Sequence, residues 1–277
     1  MKKKIIIGLI IIIVILYFIS YFTYRSSPKV AIIDVKGVIS DYMSVVENIE
    51  KAHRDRSIKA VVIAVDSPGG AVGAAQEIYS AIVKLRKDKP VVVSMGNVAA
   101  SGGYYISAPA NVIYANPGTI TGSIGVIIQH VSVSKVLDKI GIKVENIKSG
   151  KNKDILYPNN SLTPEQKKLL EETIKDVYNQ FLEDIVRYRP VKIDRLKQYA
   201  DGRIFTGRQA KKLKLVDKLG NIQDAIQEAK KLAGLEGKTV VVIKLRKEEG
   251  LLKKMLDSKV SINELVSFPQ FYYLMSF

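Results

Sequence analysis

The 277-residue chain carries 43 Lys and Arg against 27 Asp and Glu, a formal charge of +16, with 47% hydrophobic residues. That apolar content excludes a wholly disordered chain, and the length allows one large domain or two small ones. The absence of Cys excludes disulfides, thiol nucleophiles and Cys-rich metal sites; with only His53 and His130, a multi-His metal site cannot form within one chain.

In chain order, a basic tail (residues 1–4, with Lys2, Lys3 and Lys4) precedes an uncharged, Ile-rich run over 5–24. A helix of that length spans about 30 Å, the thickness of a bilayer core. Tyr17, Phe18, Tyr21, Phe22 and Tyr24 gather toward its far end, as interfacial aromatics do. The run is longer than a cleaved signal's apolar core and ends without a small-x-small site, so it reads as an uncleaved signal anchor. The three lysines place the N-terminus in the cytoplasm and the remainder outside it.

Beyond the anchor, Lys29–Ile39 reads as a first strand and Ser44–Arg54 as a helix. Ala60–Val65 and Pro90–Met95 are continuous apolar strands, the kind covered on both faces in an α/β sheet. The helix over Ala74–Lys87 lies between them. Val112–Ala115 and Val144–Ile147 read as further short strands, the latter leading into a Lys-rich loop over 148–160. Thr163–Arg189 is a long helix with Pro164 in its first turn. Helices over Thr206–Leu213 and Asn221–Leu232 and a strand over Thr239–Leu245 follow. Repeated β-α-β alternation predicts a mainly parallel sheet covered by helices, one domain over 29–245. The tail over 246–277 ends in an apolar, aromatic stretch that suits packing on the core, on a neighbouring subunit or on the membrane surface.

Two strand ends offer chemistry. Ala60–Val65 runs into Asp66-Ser67-Pro68-Gly69-Gly70, whose bare amides sit where α/β sheets bind ligands; an ordinary strand-to-helix turn reads the same way. Pro90–Met95 runs into Gly96-Asn97-Val98-Ala99-Ala100-Ser101-Gly102-Gly103. Ser101 can be a nucleophile at a helix N-terminus, with the Gly102 amide toward an oxyanion, or simply an N-cap. No GxxxxGK[ST] loop or dinucleotide fingerprint is present, and the serine is not in a G-x-S-x-G elbow. Neither His53 nor His130 has a site-like setting, so a base for Ser101 is better sought among lysines, with Lys148, Lys151 and Lys153 as candidates.

Five stretches carry a family pattern: DSPGG (66–70), GNVAASGGYY (96–105), TGSIGV (121–126), SGKNKD (149–154) and DGRIFTGRQAKKLKLVDKLG (201–220). In this order the sequence, over about 29–235, resembles the signal peptide peptidases of the SppA type, serine peptidases with a Ser–Lys dyad. The resemblance implies a ClpP/crotonase-like spiral of β-β-α units after one transmembrane helix. It implies Ser101 as nucleophile, Lys153 as general base, Ser123 as the serine orienting that base, and the Gly70 and Gly102 amides as the oxyanion hole. Gly69 beside Gly70 leaves the first donor to geometry. It implies no cofactor and no metal.

The partners expected are copies of the same chain in a ring or dome, membrane lipid, and peptides with apolar segments such as remnant signal peptides. Sites in such assemblies can lie between subunits, so Lys153 need not serve Ser101 of its own chain. The related membrane peptidases linked to stomatin-like proteins are one alternative, and a non-catalytic anchored scaffold of the same fold is another. The basic residues are interspersed with acids and no recognition motif accompanies them, so no nucleic acid is expected. Asn159-Asn160-Ser161 is a formal glycosylation acceptor.

Overall fold

A computed structural model describes residues 11–18, 24, 27–246 and 272–274. Residues 11–18 are helical with exposed side chains. Most of the expected anchor over 5–24 and of the tail over 246–277 lies outside the described residues. Among those described, no helix is long and apolar enough to cross a membrane.

The centre is an eight-stranded sheet. Its strands are β1 (Lys29–Lys36), β2 (Ile58–Ser67), β4 (Val91–Ala100), β5 (Val112–Ala115), β6 (Ile120–Gly122), β7 (Ile204–Thr206), β8 (Lys218–Leu219) and β9 (Val241–Leu245). The main path runs β7-β6-β4-β2-β1-β9, with β5 on β4 and β8 on β5. All pairs are parallel except β6–β7. Apart from it, β3 (Gly69–Ala71) pairs antiparallel with β10 (Tyr272–Leu274).

Period-2 geometry explains the continuous apolar strands. Val61, Ile63 and Val65 face one hydrophobic cluster, whereas Ala60 and Val62 face the other. The larger cluster is covered by α1 (Met43–Arg54), α2 (Val72–Leu85), α3 (Gly102–Ser107) and the C-terminal half of α5 (Pro164–Tyr188). In α1 the buried Val45, Asn48, Ile49 and Ala52 recur at helical spacing. The smaller cluster is covered by α8 (Ile222–Leu232), which buries Ala225, Ile226 and Ala229. Asn221 starts that helix in a capping box with Asp224, and Thr163 does the same for α5 with Gln166.

Three further short helices lie among the described residues: α4 (Ser134–Lys139), α6 (Ile193–Lys197) and α7 (Gly207–Lys212).

The structure corrects three readings. Val144–Ile147 is irregular, not a strand. Val144 is half exposed and Ile147 fully exposed, and β-branched residues make no strand without a ladder to join. Gly37, at φ +69°, ends the first strand early, so Ile39 sits beyond β1 and bridges to Gly70. Finally, β4 continues past Met95 to Ala100 through a bulge: Val65 pairs with Met95 but Ser67 with Ala99.

The region from about 127 to 160 is an arm rather than a layer. Helix α4 has no buried residue, and Ile127, Val131, Val136, Ile140, Ile142, Val144 and Ile147 are exposed. Polar ties close the arm on itself: the Val133 amide donates to Pro158 O at 2.7 Å, and His130 Nε2 lies 3.2 Å from Tyr157 O.

Candidate active site

The bulge in β4 is held by Asp66. Its carboxylate accepts the Val98 amide at 3.0 Å and the Asn97 side chain at 3.3 Å. A Cβ on Gly96 would come within 3.1 Å of that carboxyl group. Beyond the bulge β4 meets β6, with Ala99 opposite Thr121 and Ala100 opposite Gly122. Ser101 and Ser123 each follow one of those last paired residues. The register therefore sets them side by side, at the separation of adjacent strands.

Both serines are held in left-handed backbone, Ser101 at φ 53° and Ser123 at φ 49°. Among the described residues only Lys214 otherwise does this without being glycine. Such conformations cost energy and gather at functional sites. Ser101 is 1% exposed, and its Oγ has no hydrogen-bond partner among the described residues. Its amide donates to Gly122 O at 2.8 Å, and its carbonyl accepts the Tyr105 amide at 2.8 Å as α3 begins. The serine thus stands at the N-terminus of α3 without spending its hydroxyl on capping.

The Gly102 and Gly103 amides open α3, where helical geometry offers them no intrahelical acceptor. A Cβ on Gly103 would lie 2.6 Å from Ser67 O, so the helix start is pressed against the Ser67–Gly70 turn. In that turn the Gly69 amide donates to Ser67 Oγ at 3.1 Å. Ile39 grips both sides of Gly70, donating to Gly69 O and accepting from the Ala71 amide, each at 2.8 Å. A Cβ on Gly70 would lie 2.1 Å from Ile39 O, so no other residue fits there.

Helix α3 is anchored from behind. Tyr105 Oη donates to Asp184 at 2.6 Å, Tyr79 Oη donates to the same carboxylate at 3.1 Å, and the two rings stack with centroids 4.7 Å apart. Burial, with the Asp184 charge beside it, pushes the Tyr79 phenol far above its ordinary range. Tyr104, fully buried, donates to Leu215 O at 3.0 Å.

Lys153 is placed differently. It is exposed, in a turn of the arm, and among the described residues it makes no hydrogen bond to Ser101 Oγ. Beside it Asp154 is 4% exposed and pairs with Lys148 at 2.5 Å. Asn146 donates to the Asp154 carboxylate at 2.9 Å, and Asn160 to its carbonyl at 2.8 Å. The Lys148 bond first, then those of the asparagines, hold the Asp154 carboxyl well below the usual carboxylate range. Lys148 is therefore committed to tying the loop.

His53 pairs with Asp88 at 2.7 Å, on the surface between α1 and the end of α2. Sequence reasoning gave no role to Ile39, Asp66 and Ser67: Ile39 acts through its backbone, and Asp66 and Ser67 through side-chain oxygens that accept backbone amides, contacts that residue types alone do not announce. A cavity of about 790 Å³ adjoins Ser123, lined also by Val126, Ile174, Tyr178, Lys197, Asp201 and Arg203.

Two neighbouring strained serines beside a double-glycine turn make a candidate site for hydrolytic chemistry. The domain signature of peptidase family S49 matches residues 83–236. The chain is 40% identical over 235 residues to a Synechocystis protein named as the protease slr0021, covering 84% of this chain and 85% of that one. It is 32% identical over 281 residues to an Enterococcus faecium protein named as a signal peptide peptidase SppA, covering 90% and 82%. Its fold is similar to that of a 1510-N membrane-bound stomatin-specific protease, with TM-score 0.53 at 17% identity, covering 80% of this chain and 99% of that one. The chain belongs to peptidase family S49 and is a serine peptidase.

Proposed function

We propose that the protein is a membrane-anchored endopeptidase that cleaves apolar peptides, remnant signal peptides among them, through an acyl-Ser101 intermediate. The observation that carries this reading is Ser101: buried, in strained backbone, with an uncommitted hydroxyl at a helix start pressed against the Gly69–Gly70 turn. Lys153 as a neutral amine takes the Ser101 proton while Oγ attacks the peptide carbonyl. The Gly70 and Gly102 amides stabilise the oxyanion. Because the Gly69 amide is engaged by Ser67, Gly70 is the better donor of the two. The tetrahedral intermediate collapses, the C–N bond breaks, and the amine leaves with the proton from Lys153. Water, deprotonated by Lys153, then cleaves the ester and restores Ser101. Ser123 orients the lysine.

A lysine in water has a pKa of ~10.4 and serves as a base only when desolvated. In a single chain Lys153 is exposed. We therefore assign it to Ser101 of a second copy: the arm, apolar on its surface, carries Lys153 into a neighbour and is buried there with it. A ring or dome of copies closes such a head-to-tail contact. The fold is of the ClpP/crotonase type. The substrate joins as an extended strand, a mode supported by the antiparallel pairing of Tyr272–Leu274 with Gly69–Ala71. The basic tail and apolar run over 5–24 hold the site outside the cytoplasm, next to its membrane substrates.

The test is hydrolysis of two synthetic peptides by the full chain in detergent: an apolar signal-peptide core and an apolar stomatin-type segment. The reading expects cleavage of the first, abolished in Ser101→Ala. Exclusive cleavage of the second would favour the stomatin-linked peptidases, whose solved relative shares the fold. Cleavage retained in Ser101→Ala would overturn the mechanism.

A further inference from the structure

The stretch DGRIFTG (201–207) is left without a role by the dyad and the oxyanion hole. Strand β7 pairs with β6 so that Ile204 lies opposite Gly122. Just before it, the Ser123 amide donates to Arg203 O at 2.8 Å, and the Gly202 amide donates to Ile124 O at 3.1 Å. These bonds bracket Ser123 and hold its left-handed conformation. The Phe205 ring covers Gly122, where an added Cβ would lie 2.5 Å from it. Gly122 O in turn accepts the Ser101 amide.

The turn itself is fixed by one ion pair. Arg203 Nε donates to Asp201 Oδ1 at 2.7 Å and Nη2 to Oδ2 at 2.5 Å, while the Arg203 amide reaches Oδ1 at 3.2 Å. A two-pronged pair between residues two apart selects one backbone conformation of Gly202, which sits at φ +89°. From behind, Tyr178 Oη donates to Ala200 O at 2.7 Å. Asp201, Gly202, Arg203 and Ser123 share the wall of the 790 Å³ cavity.

We propose that the Asp201–Arg203 fork is a positioning device for the active site: it sets the turn whose backbone clamps Ser123 and, through Gly122, steadies Ser101. This deepens the function proposed above and rests on it. Neither side chain takes part in proton transfer. Arg203 carries out its part through its own carbonyl, which its side chain fixes in place. The Arg203 hydrogen bonds hold the Asp201 carboxyl down at about 2, so the fork is fully formed at neutral pH.

The experiment compares the full-length protein with Asp201→Ala, Asp201→Asn, Arg203→Lys and, as a surface control nearby, Arg208→Ala. Active sites are counted with a fluorophosphonate that labels the catalytic serine, and kcat is expressed per labelled site. Misplacing reacting groups by about 1 Å can cost on the order of 100-fold. Asp201→Ala is expected to lose about 10- to 100-fold in kcat per labelled site, with KM and melting temperature little changed. Asp201→Asn, which keeps an acceptor for the Arg203 amide, loses less, and Arg203→Lys retains part of the rate. Arg208→Ala matches the parent. A merely structural role would lower the labelled fraction and the melting temperature but leave kcat per site intact, and that result overturns the proposal. So does an unchanged kcat in Asp201→Ala. Ser101→Ala in the same assay separates the two levels. If it still cleaves, the nucleophile assignment fails whatever the fork does; if it is dead while Asp201→Ala is normal, only the fork's role fails.

Discussion

The serine side and the lysine arm are built in opposite ways. Around Ser101 nearly every group is buried, and backbone meets backbone at distances that admit only glycine at positions 70 and 103. The arm over about 127–160 buries almost nothing, displays large aliphatic side chains along its length and is tied by a few polar contacts. Rigidity suits a nucleophile that must keep a strained conformation against its own relaxation. An open apolar arm suits a segment whose packing partner is another molecule. Under the proposed mechanism, half of the machinery is finished within the chain and half would be completed by a second copy.

The largest expected effects strike both regions alike. Ser101→Ala and Lys153→Ala should each lower peptide hydrolysis by at least about 10,000-fold. Light scattering should find both assembled, and their melting temperatures should match the parent, since Lys153 touches little in its own chain. Next comes Gly103→Ala. Its Cβ meets the Ser67 carbonyl, which cannot swing aside, so chemical denaturation should register a loss of about 1–3 kcal/mol. Activity falls with it.

A double substitution in the arm, Ile140→Asp with Ile147→Asp, sharpens the contrast. Both residues are exposed, so monomer stability should stay within about 0.5 kcal/mol. Sedimentation should instead detect smaller particles, with activity lost in proportion.

The smallest effect is one of pH. Because the Asp154 carboxyl is depressed in the folded chain, its contribution is present above the unfolded value of ~3.9 and disappears as pH falls below that. Amide exchange, corrected for intrinsic rates, should register loosening of 146–160 below about pH 4 while β4 and β6 stay protected. Asp154→Asn should loosen the same amides already at neutral pH.

Much of the serine side was legible beforehand. The apolar runs over 60–65 and 90–95 announced strands covered on both faces, and the Gly-rich segments after them marked the strand ends that the fold packs together. What stayed hidden was geometry: the bulge held by Asp66, the bridge from Ile39 to Gly70, and the strand pairing that sets Ser123 beside Ser101. These depend on contacts between residues far apart in sequence, and no local pattern encodes them. The arm was misread at Val144–Ile147 for a related reason. Its β-branched residues satisfy the strand pattern, but no strand lies beside them to pair with.

The division of labour between copies is best tested by complementation. Ser101→Ala and Lys153→Ala chains, each inactive alone, are co-expressed and isolated as one assembly containing both. If the arm of one copy serves the serine of the next, random mixing leaves about a quarter of the sites with an intact Ser101 and an intact Lys153, and peptide cleavage returns to roughly that fraction of the parent. Mixed assemblies with no activity would contradict a base supplied by a second copy.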